Sequence, residues 1–205
     1  MAERTVHVVD DDQSFLMAMA RFLRASGFAT RTYASAREFL AERRDDEPGC
    51  VVVDLQMPEI DGLDFQSALA QTKFPLPVLF LTGHADTAST VRAMRGGAED
   101  FLEKTASRSL VLDAVRRALV RDEKEREERS YRNELRARFA AISAREHEVL
   151  GHVLHGRLNK QIASDLGIHE RTVKVHRKSI MTKLSVRSVA ALAQLSQEAG
   201  LLVQP

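Results

Sequence analysis

The stretch Cys50-Val51-Val52-Val53-Asp54-Leu55-Gln56-Met57-Pro58-Glu59-Ile60-Asp61-Gly62 decides the fold of this 205-residue chain. A run of small and β-branched apolar residues ends in an aspartate, and a proline and a glycine then force a turn. The valines show no period-two alternation, so both faces of the strand are expected to be covered, as in a parallel sheet flanked by helices. Asp54 is thereby expected at the carboxyl end of a central strand, where open α/β sheets bind their ligands. A carboxylate closing a buried strand is costly unless a metal or a phosphoryl group uses it. The plainer alternative is an aspartate that caps a helix or a turn.

Outward from this stretch the chain alternates. Residues 6–9 read as a short strand running into Asp10, Asp11 and Asp12, followed by Phe15, Leu16, Met19, Phe22 and Leu23 at helical spacing with Gly27 as a stop. Residues 28–33 alternate weakly, as an outer strand would, and Ser35 with Glu38 has capping-box spacing. A helix over about 64–72, a strand over 77–82, a helix near 86–95 and a short strand over 100–103 follow. A helix carrying Leu110, Leu112, Val115 and Leu119 closes the series. Strand–helix repeated five times implies a parallel sheet between two helical layers. For five strands the flavodoxin-like order 2-1-3-4-5 is expected, which sets Asp10 and Asp11 opposite Asp54 at the switch point.

Three carboxylates so placed raise one another's pKa unless a cation intervenes. Mg2+ suits them, because it takes one or two carboxylates and leaves positions for water and phosphate oxygens. A carboxylate beside it can attack phosphorus to form an aspartyl-phosphate. Thr82, ending the fourth strand, offers a hydroxyl donor, and Lys104, ending the fifth, a point charge.

Charge divides the chain. Residues 1–115 hold 12 Lys/Arg against 18 Asp/Glu, a net −6, whereas residues 141–205 hold 9 against 5, a net +4. An acidic front and a basic back suggest two tasks, the second at nucleic acid. One cysteine, Cys50, excludes an intrachain disulfide and reads as a core thiol in a reducing compartment. No signal region and no spanning apolar run appear in the sequence, so a cytoplasmic protein with no membrane partner is expected.

Residues 121–132 are nearly devoid of apolar side chains and carry opposite charges at i,i+4, as in Asp122/Arg126. They read as a solvated helical connector, with a flexible tether as the alternative. Beyond it, Ser143 and Glu146 form a second capping box, and residues 159–166 form a short helix stopped by Gly167 before a basic helix at 170–184. That is a helix-turn-helix pattern. On the basic helix Val173, His176, Ile180 and Leu184 share a core face, while Arg171, Lys174, Val175, Lys178 and Thr182 share the opposite one. Lys160, Arg171, Arg177 and Lys183 are candidate phosphate contacts. His169 at the start of this helix should cap it weakly. His152 and His155 lie at i,i+3 without a third ligand at useful spacing and read as ordinary histidines.

On these motifs residues 1–119 resemble the receiver domain of bacterial two-component response regulators, and residues 142–197 resemble the LuxR-type helix-turn-helix. The second likeness rests on the stretch 142–150, on Asn159-Lys-Gln-Ile-Ala163, and on Thr172-Val-Lys-Val-His176 through Lys183-Leu184. Together they resemble the FixJ/NarL class: a flavodoxin-like (βα)5 receiver at 1–119, a charged helical linker at 120–141 and an all-α DNA-binding domain at 142–205. The resemblance implies that Asp54 accepts phosphate from a sensor histidine kinase. It implies that Asp10, Asp11, Asp54 and the Gln56 backbone carbonyl hold Mg2+, and that Thr82 and Lys104 meet the phosphoryl group. It makes Phe101 the switch aromatic, places Lys174, Val175 and Lys178 at base edges of double-stranded DNA, and implies homodimerisation on phosphorylation.

One position departs from the family, which usually has Lys-Pro with a cis bond where this chain has Lys104-Thr105. A cis bond before threonine costs about 2.5–4 kcal/mol, so a trans bond and a re-aimed loop are expected. Two alternatives remain at this stage. Residues 9–14 also fit the opening motif of haloacid-dehalogenase-type phosphatases, which would make Asp10 the nucleophile of an enzyme and would need Asp113 as a later acid. The other is a DNA-binding regulator whose receiver works without phosphorylation.

Overall fold

The computed structural model describes residues 4–200, so the expected outer ends of the two domains, at residues 1 and 205, lie outside the described residues. The chain forms two compact units, one ending at Arg126 and the other beginning at Glu127.

The first unit holds β1 (Thr5–Val9), α1 (Gln13–Ala25), β2 (Ala29–Tyr33), α2 (Ala36–Glu42) and β3 (Gly49–Val53). It continues with α3 (Gly62–Ala70), β4 (Val78–Thr82), α4 (Thr87–Arg95), β5 (Asp100–Glu103) and the first turns of α5 (Arg108–Ala140). All pairings are parallel and the strand order is β2-β1-β3-β4-β5, the expected one. The unalternating valines of β3 are explained by the two cores they serve. Val51 and Val53 join Phe39, Phe65 and Phe80 on one face of the sheet, while Cys50 and Val52 join Leu16, Leu23, Val111 and Val115 on the other. Cys50 is fully buried, and burial pushes its thiol up, as expected of a core residue.

The expected helix at 64–72 begins two residues earlier, because Asp61 caps it by accepting the Asp64 N–H at 2.8 Å. This brings Gly62 against the end of β3, where an added Cβ would stand 2.5 Å from the Asp54 carbonyl oxygen. Only glycine admits that approach without a backbone shift.

The charged segment expected at 120–141 is helical rather than a tether, lying through residue 140 within the single 33-residue helix α5. It is divided between the two units. Asp122, expected as half of a solvated i,i+4 pair, is buried and accepts the Gly49 N–H at 2.9 Å. Arg126 pairs with Asp122 at 2.9 Å and donates to the Glu47 carbonyl at 2.6 Å, which ties the helix to the loop before β3. Leu135 and Phe139, near the end of α5, are buried in the core of the second unit.

That unit continues with α6 (Ala144–Leu154), α7 (Asn159–Leu166), α8 (Glu170–Lys183) and α9 (Val189–Glu198). The last helix starts after the Ser188 cap, whose hydroxyl accepts the Ala191 N–H at 3.1 Å. Gly167 ends α7 in the left-handed region at φ 63°, and the Ile168 N–H reaches back to the Ala163 carbonyl at 3.0 Å, the pattern of a glycine C-cap. His169 gives α8 no side-chain cap, as expected.

Candidate functional site

The cleft lies at the carboxyl ends of the strands. The ladder runs past β1 and β3, with Asp10 N–H donating to the Tyr33 carbonyl and Asp54 N–H to the Val9 carbonyl, so both aspartates are fixed by sheet backbone. Carboxylate oxygens of Asp10, Asp11 and Asp54 come within 4.8 Å of one another. Asp10 and Asp54 are buried and Asp11 is exposed. Asp12 takes the cap role: its Oδ1 accepts the N–H groups of Ser14 and Phe15 at 2.8 and 3.2 Å, opening α1. The Gln56 N–H donates to Asp54 Oδ1 at 3.4 Å.

Lys104 enters from the end of β5. Its ammonium stands 2.8 Å from Asp54 Oδ2 and 2.6 Å from Asp10 Oδ2. The first contact is an aligned hydrogen bond, and the second is a close ion pair whose Asp10 oxygen has no aligned donor. Burial pushes the Asp10 carboxyl up against the opposing pull of Lys104. Burial likewise opposes the charge on Lys104, but the two carboxylates outweigh it and raise its pKa. Three carboxylates facing one ammonium leave the cleft with excess negative charge.

The described peptide bonds are all trans, that of Lys104–Thr105 included. The lysine nonetheless reaches the cleft: its N–H donates to the Thr82 carbonyl at 2.7 Å, which sets its backbone from β4. The Thr82 hydroxyl, buried at the end of β4, is engaged with the backbone of His84, whose N–H and carbonyl lie 3.3 Å away. Phe101 is half-buried on β5 and stacks on Phe80 with ring centroids 5.6 Å apart. Phe15, one of the apolar residues at helical spacing, packs half-buried against the core, and its ring also lies 4.3 Å below the Lys104 ammonium.

The phosphatase alternative loses its later acid. Asp113 is exposed on α5 and paired with Arg116 at 2.9 Å, apart from the clustered carboxylates.

In the second unit α7 and α8 form the helix-turn-helix. Val173, Ile180 and Leu184 are buried, His176 is half-buried, and Arg171, Lys174, Val175, Lys178 and Thr182 are exposed. Val175 is 60% exposed, unusual for a valine beside a core. Lys174 pairs loosely with Glu170 at 3.2 Å, and Lys160 is exposed at the start of α7. Arg177 donates to Asn159 Oδ1 at 3.0 Å, bridging the two helices. Lys183, expected among the phosphate contacts, has its ammonium 2.7 Å from Glu146 Oε2, a partner that a phosphate would have to displace. Nothing in the sequence distinguished it from the exposed lysines, because its partner lies 37 residues away. His152 lies near Asp165 and His155 bonds the Gly151 carbonyl, without forming a metal cluster among the described residues.

Comparison with known proteins agrees with both halves. Residues 6–116 match the model of the response regulator receiver domain, and residues 140–196 match that of the bacterial regulatory proteins of the luxR family. The chain is 40% identical over 196 residues to nodulation protein W of Bradyrhizobium diazoefficiens, covering 96% of this chain and 86% of that one. It is 37% identical over 203 residues to the transcriptional regulatory protein FixJ of Rhizobium meliloti, covering 98% of each. Among solved structures it is similar to the response regulator StyR, with a TM-score of 0.82, 41% identity, and coverage of 96% of this chain and all of that one.

Proposed function

From the premise that the chain belongs to the response regulators that join a receiver domain to a LuxR-family DNA-binding domain, we propose that Asp54 is the phosphoacceptor that switches it. As a member of that family the protein is a DNA-binding transcriptional regulator of a phosphorelay, not a dedicated enzyme. The observation that carries the assignment is the Lys104 ammonium drawn between Asp10 and Asp54, in a cleft whose carboxylates outnumber it.

The donor set fits Mg2+: carboxylate oxygens only, one of them buried without an aligned donor, at a spacing a small hard cation spans. Asp10, Asp11, Asp54 and the Gln56 carbonyl would hold it, and when bound it supplies charge neutralisation for an incoming phosphoryl group. An Asp54 oxygen attacks the phosphorus of a phosphohistidine on the sensor kinase. The P–O bond forms as the P–N bond breaks, and the electron pair leaves on the imidazole nitrogen, which takes up a proton. Lys104 keeps its backbone place and turns its ammonium to a phosphoryl oxygen. The Thr82 hydroxyl leaves His84 for another phosphoryl oxygen, which gives Phe101 room to turn inward. Charge-assisted hydrogen bonds of this kind are the strong ones.

The surface around residues 88–95 and 100–115 is then reshaped, and two receivers pair. Such a pair carries two helix-turn-helix units to half-sites about 34–36 Å apart. Lys174, Val175 and Lys178 read base edges, where lysine suits guanine acceptors and valine a thymine methyl. Lys160, Arg171 and Arg177 meet phosphates, with Lys183 joining them only if it leaves Glu146. The work is cytoplasmic, where the DNA lies.

The test is to label the full chain with a small phosphodonor and Mg2+, map the label by mass, and sediment the product. Label on Asp54 with dimerisation at tens of micromolar supports the reading. Label on Asp10, or a dimer equally strong without phosphate, overturns it.

A further inference from the structure

The lysine of this cleft has a third contact besides its two carboxylates. The Lys104 ammonium lies 4.3 Å above the centroid of the Phe15 ring, well inside the range of a cation–π interaction. Phe15 is the third residue of α1, half-buried, and packs against the core on the α1 face of the sheet. Its backbone is not free to wander, because its N–H is one of the two held by the Asp12 cap. One short segment, residues 10–15, therefore delivers two carboxylates, the cap that fixes their loop, and an aromatic face under the ammonium.

That face matters because the loop after β5 offers Lys104 little. Thr105 stands in the next position, and its hydroxyl turns away to Glu103 Oε2 at 3.2 Å. The backbone of Lys104 is set by Thr82, but nothing in its own loop directs the long side chain above it. The two carboxylates do so in the present state, yet they are the groups that must serve the phosphoryl chemistry. An aromatic face attracts a cation without carrying charge and without consuming a hydrogen of the ammonium. A carboxylate in its place would compete with an incoming phosphoryl group for the same lysine.

We infer that Phe15 is a positioning residue for Lys104, holding the ammonium over the cleft by its ring face while the hydrogen-bond partners of that ammonium change. The inference rests on the reading of Asp54 as phosphoacceptor and adds a residue that acts through the lysine without touching the phosphoryl group.

Two measurements on the full chain test it. In the free protein, NMR of lysine-labelled samples should show the Lys104 ε-methylene shifted upfield by the ring. Phe15→Leu should abolish the shift and Phe15→Tyr should keep it. With Mg2+ and beryllofluoride as a phosphoryl analogue, Phe15→Leu should weaken binding about threefold to tenfold, the scale of one partly desolvated cation–π contact, while Phe15→Tyr should match the wild type. The loss should vanish in a Lys104→Ala background, because a residue acting through the lysine has nothing left to position. A merely structural Phe15 would cost the same in both backgrounds, and that result overturns the inference. So does an unshifted Lys104 methylene in the free wild type. If the shift is present but beryllofluoride fails to bind the wild type at Asp54, the phosphoacceptor reading falls and the Lys104–Phe15 contact stands.

Discussion

In the first unit Lys104 meets two carboxylates of a cluster of three; in the second, Lys183 meets one. The surroundings of the two pairs differ in kind. Glu146 is 4% exposed and its Oε2 is fully subscribed, taking the Ser143 N–H at 2.6 Å as well as Lys183 at 2.7 Å. Those partners, Lys183 first, hold its carboxyl at about 2. The cluster closes the capping box of α6 and anchors the end of α8 to it, so it is a lock. The Asp10–Asp54–Lys104 cluster has more anions than cation, an oxygen without an aligned donor, and an exposed third carboxylate. Removing one partner of a balanced pair strands the other, whereas an unbalanced cluster of carboxylates points to a ligand site.

The largest effect expected breaks the unbalanced cluster. Asp54→Asn should reduce phosphodonor labelling to background, read by intact mass, while leaving the thermal midpoint unchanged or raised, because it removes like-charge repulsion. A marked fall in stability would mean that this cluster too is a lock.

A second contrast lies in how each unit meets acid. His7, on β1, is buried among Tyr33 and Phe39 with its Nε2 unpartnered, and burial first of all lowers its pKa from 6.5 to about 4. The unfolded chain then binds the proton more readily than the folded one. Stability is intact above pH 6.5 and falls as pH drops toward 4, by about 3 kcal/mol in total. Glu146 is the opposite case, a depressed acid whose contribution is present above pH 4.5 and lost as pH falls toward 2. Residue-resolved NMR during acid titration should show the first unit weakening between pH 6.5 and 4 and the second only below 4.5. His7→Phe should remove the first limb; its persistence would clear His7 of the role.

Opening the lock is the next step down. Glu146→Gln keeps the shape but loses the charge, and should destabilise the second unit by about 1–3 kcal/mol in urea, the cost of a charged hydrogen bond lost in a buried site. Lys183→Ala should cost less, since its side chain is 40% exposed. If Lys183→Ala instead weakens DNA binding without affecting stability, the lysine belongs with the phosphate contacts after all.

The smallest effects sharpen the division of labour on the basic surface. Lys174→Ala and Lys178→Ala should each lower the preference for operator over random duplex by about 1–3 kcal/mol. Lys160→Ala should weaken both duplexes alike and lower the salt slope by about one. Equal losses on both duplexes for all three would contradict the groove assignment.

The sequence carried the fold because the information lies in local pattern. Three valines with no alternation require two covered faces, and a glycine between two short helices requires a turn. Strand–helix alternation and handed crossovers then leave few topologies, and these place Asp10, Asp11, Asp54, Thr82 and Lys104 at one edge of the sheet. What the sequence could not supply is the direction of side chains between elements distant in the chain. Asp122 looked solvated because its periodic neighbours are charged, yet α5 lays it against the Gly49 N–H, 73 residues away. Lys183 looked like a free cation until α6 set Glu146 beside it. Phe15 sits in a helical apolar stripe and does join the core, and only the approach of β5 puts an ammonium over its ring. Periodicity reports which face of an element is dry, because that depends on the element alone. What meets that face depends on how the elements pack, and tertiary structure alone decides it.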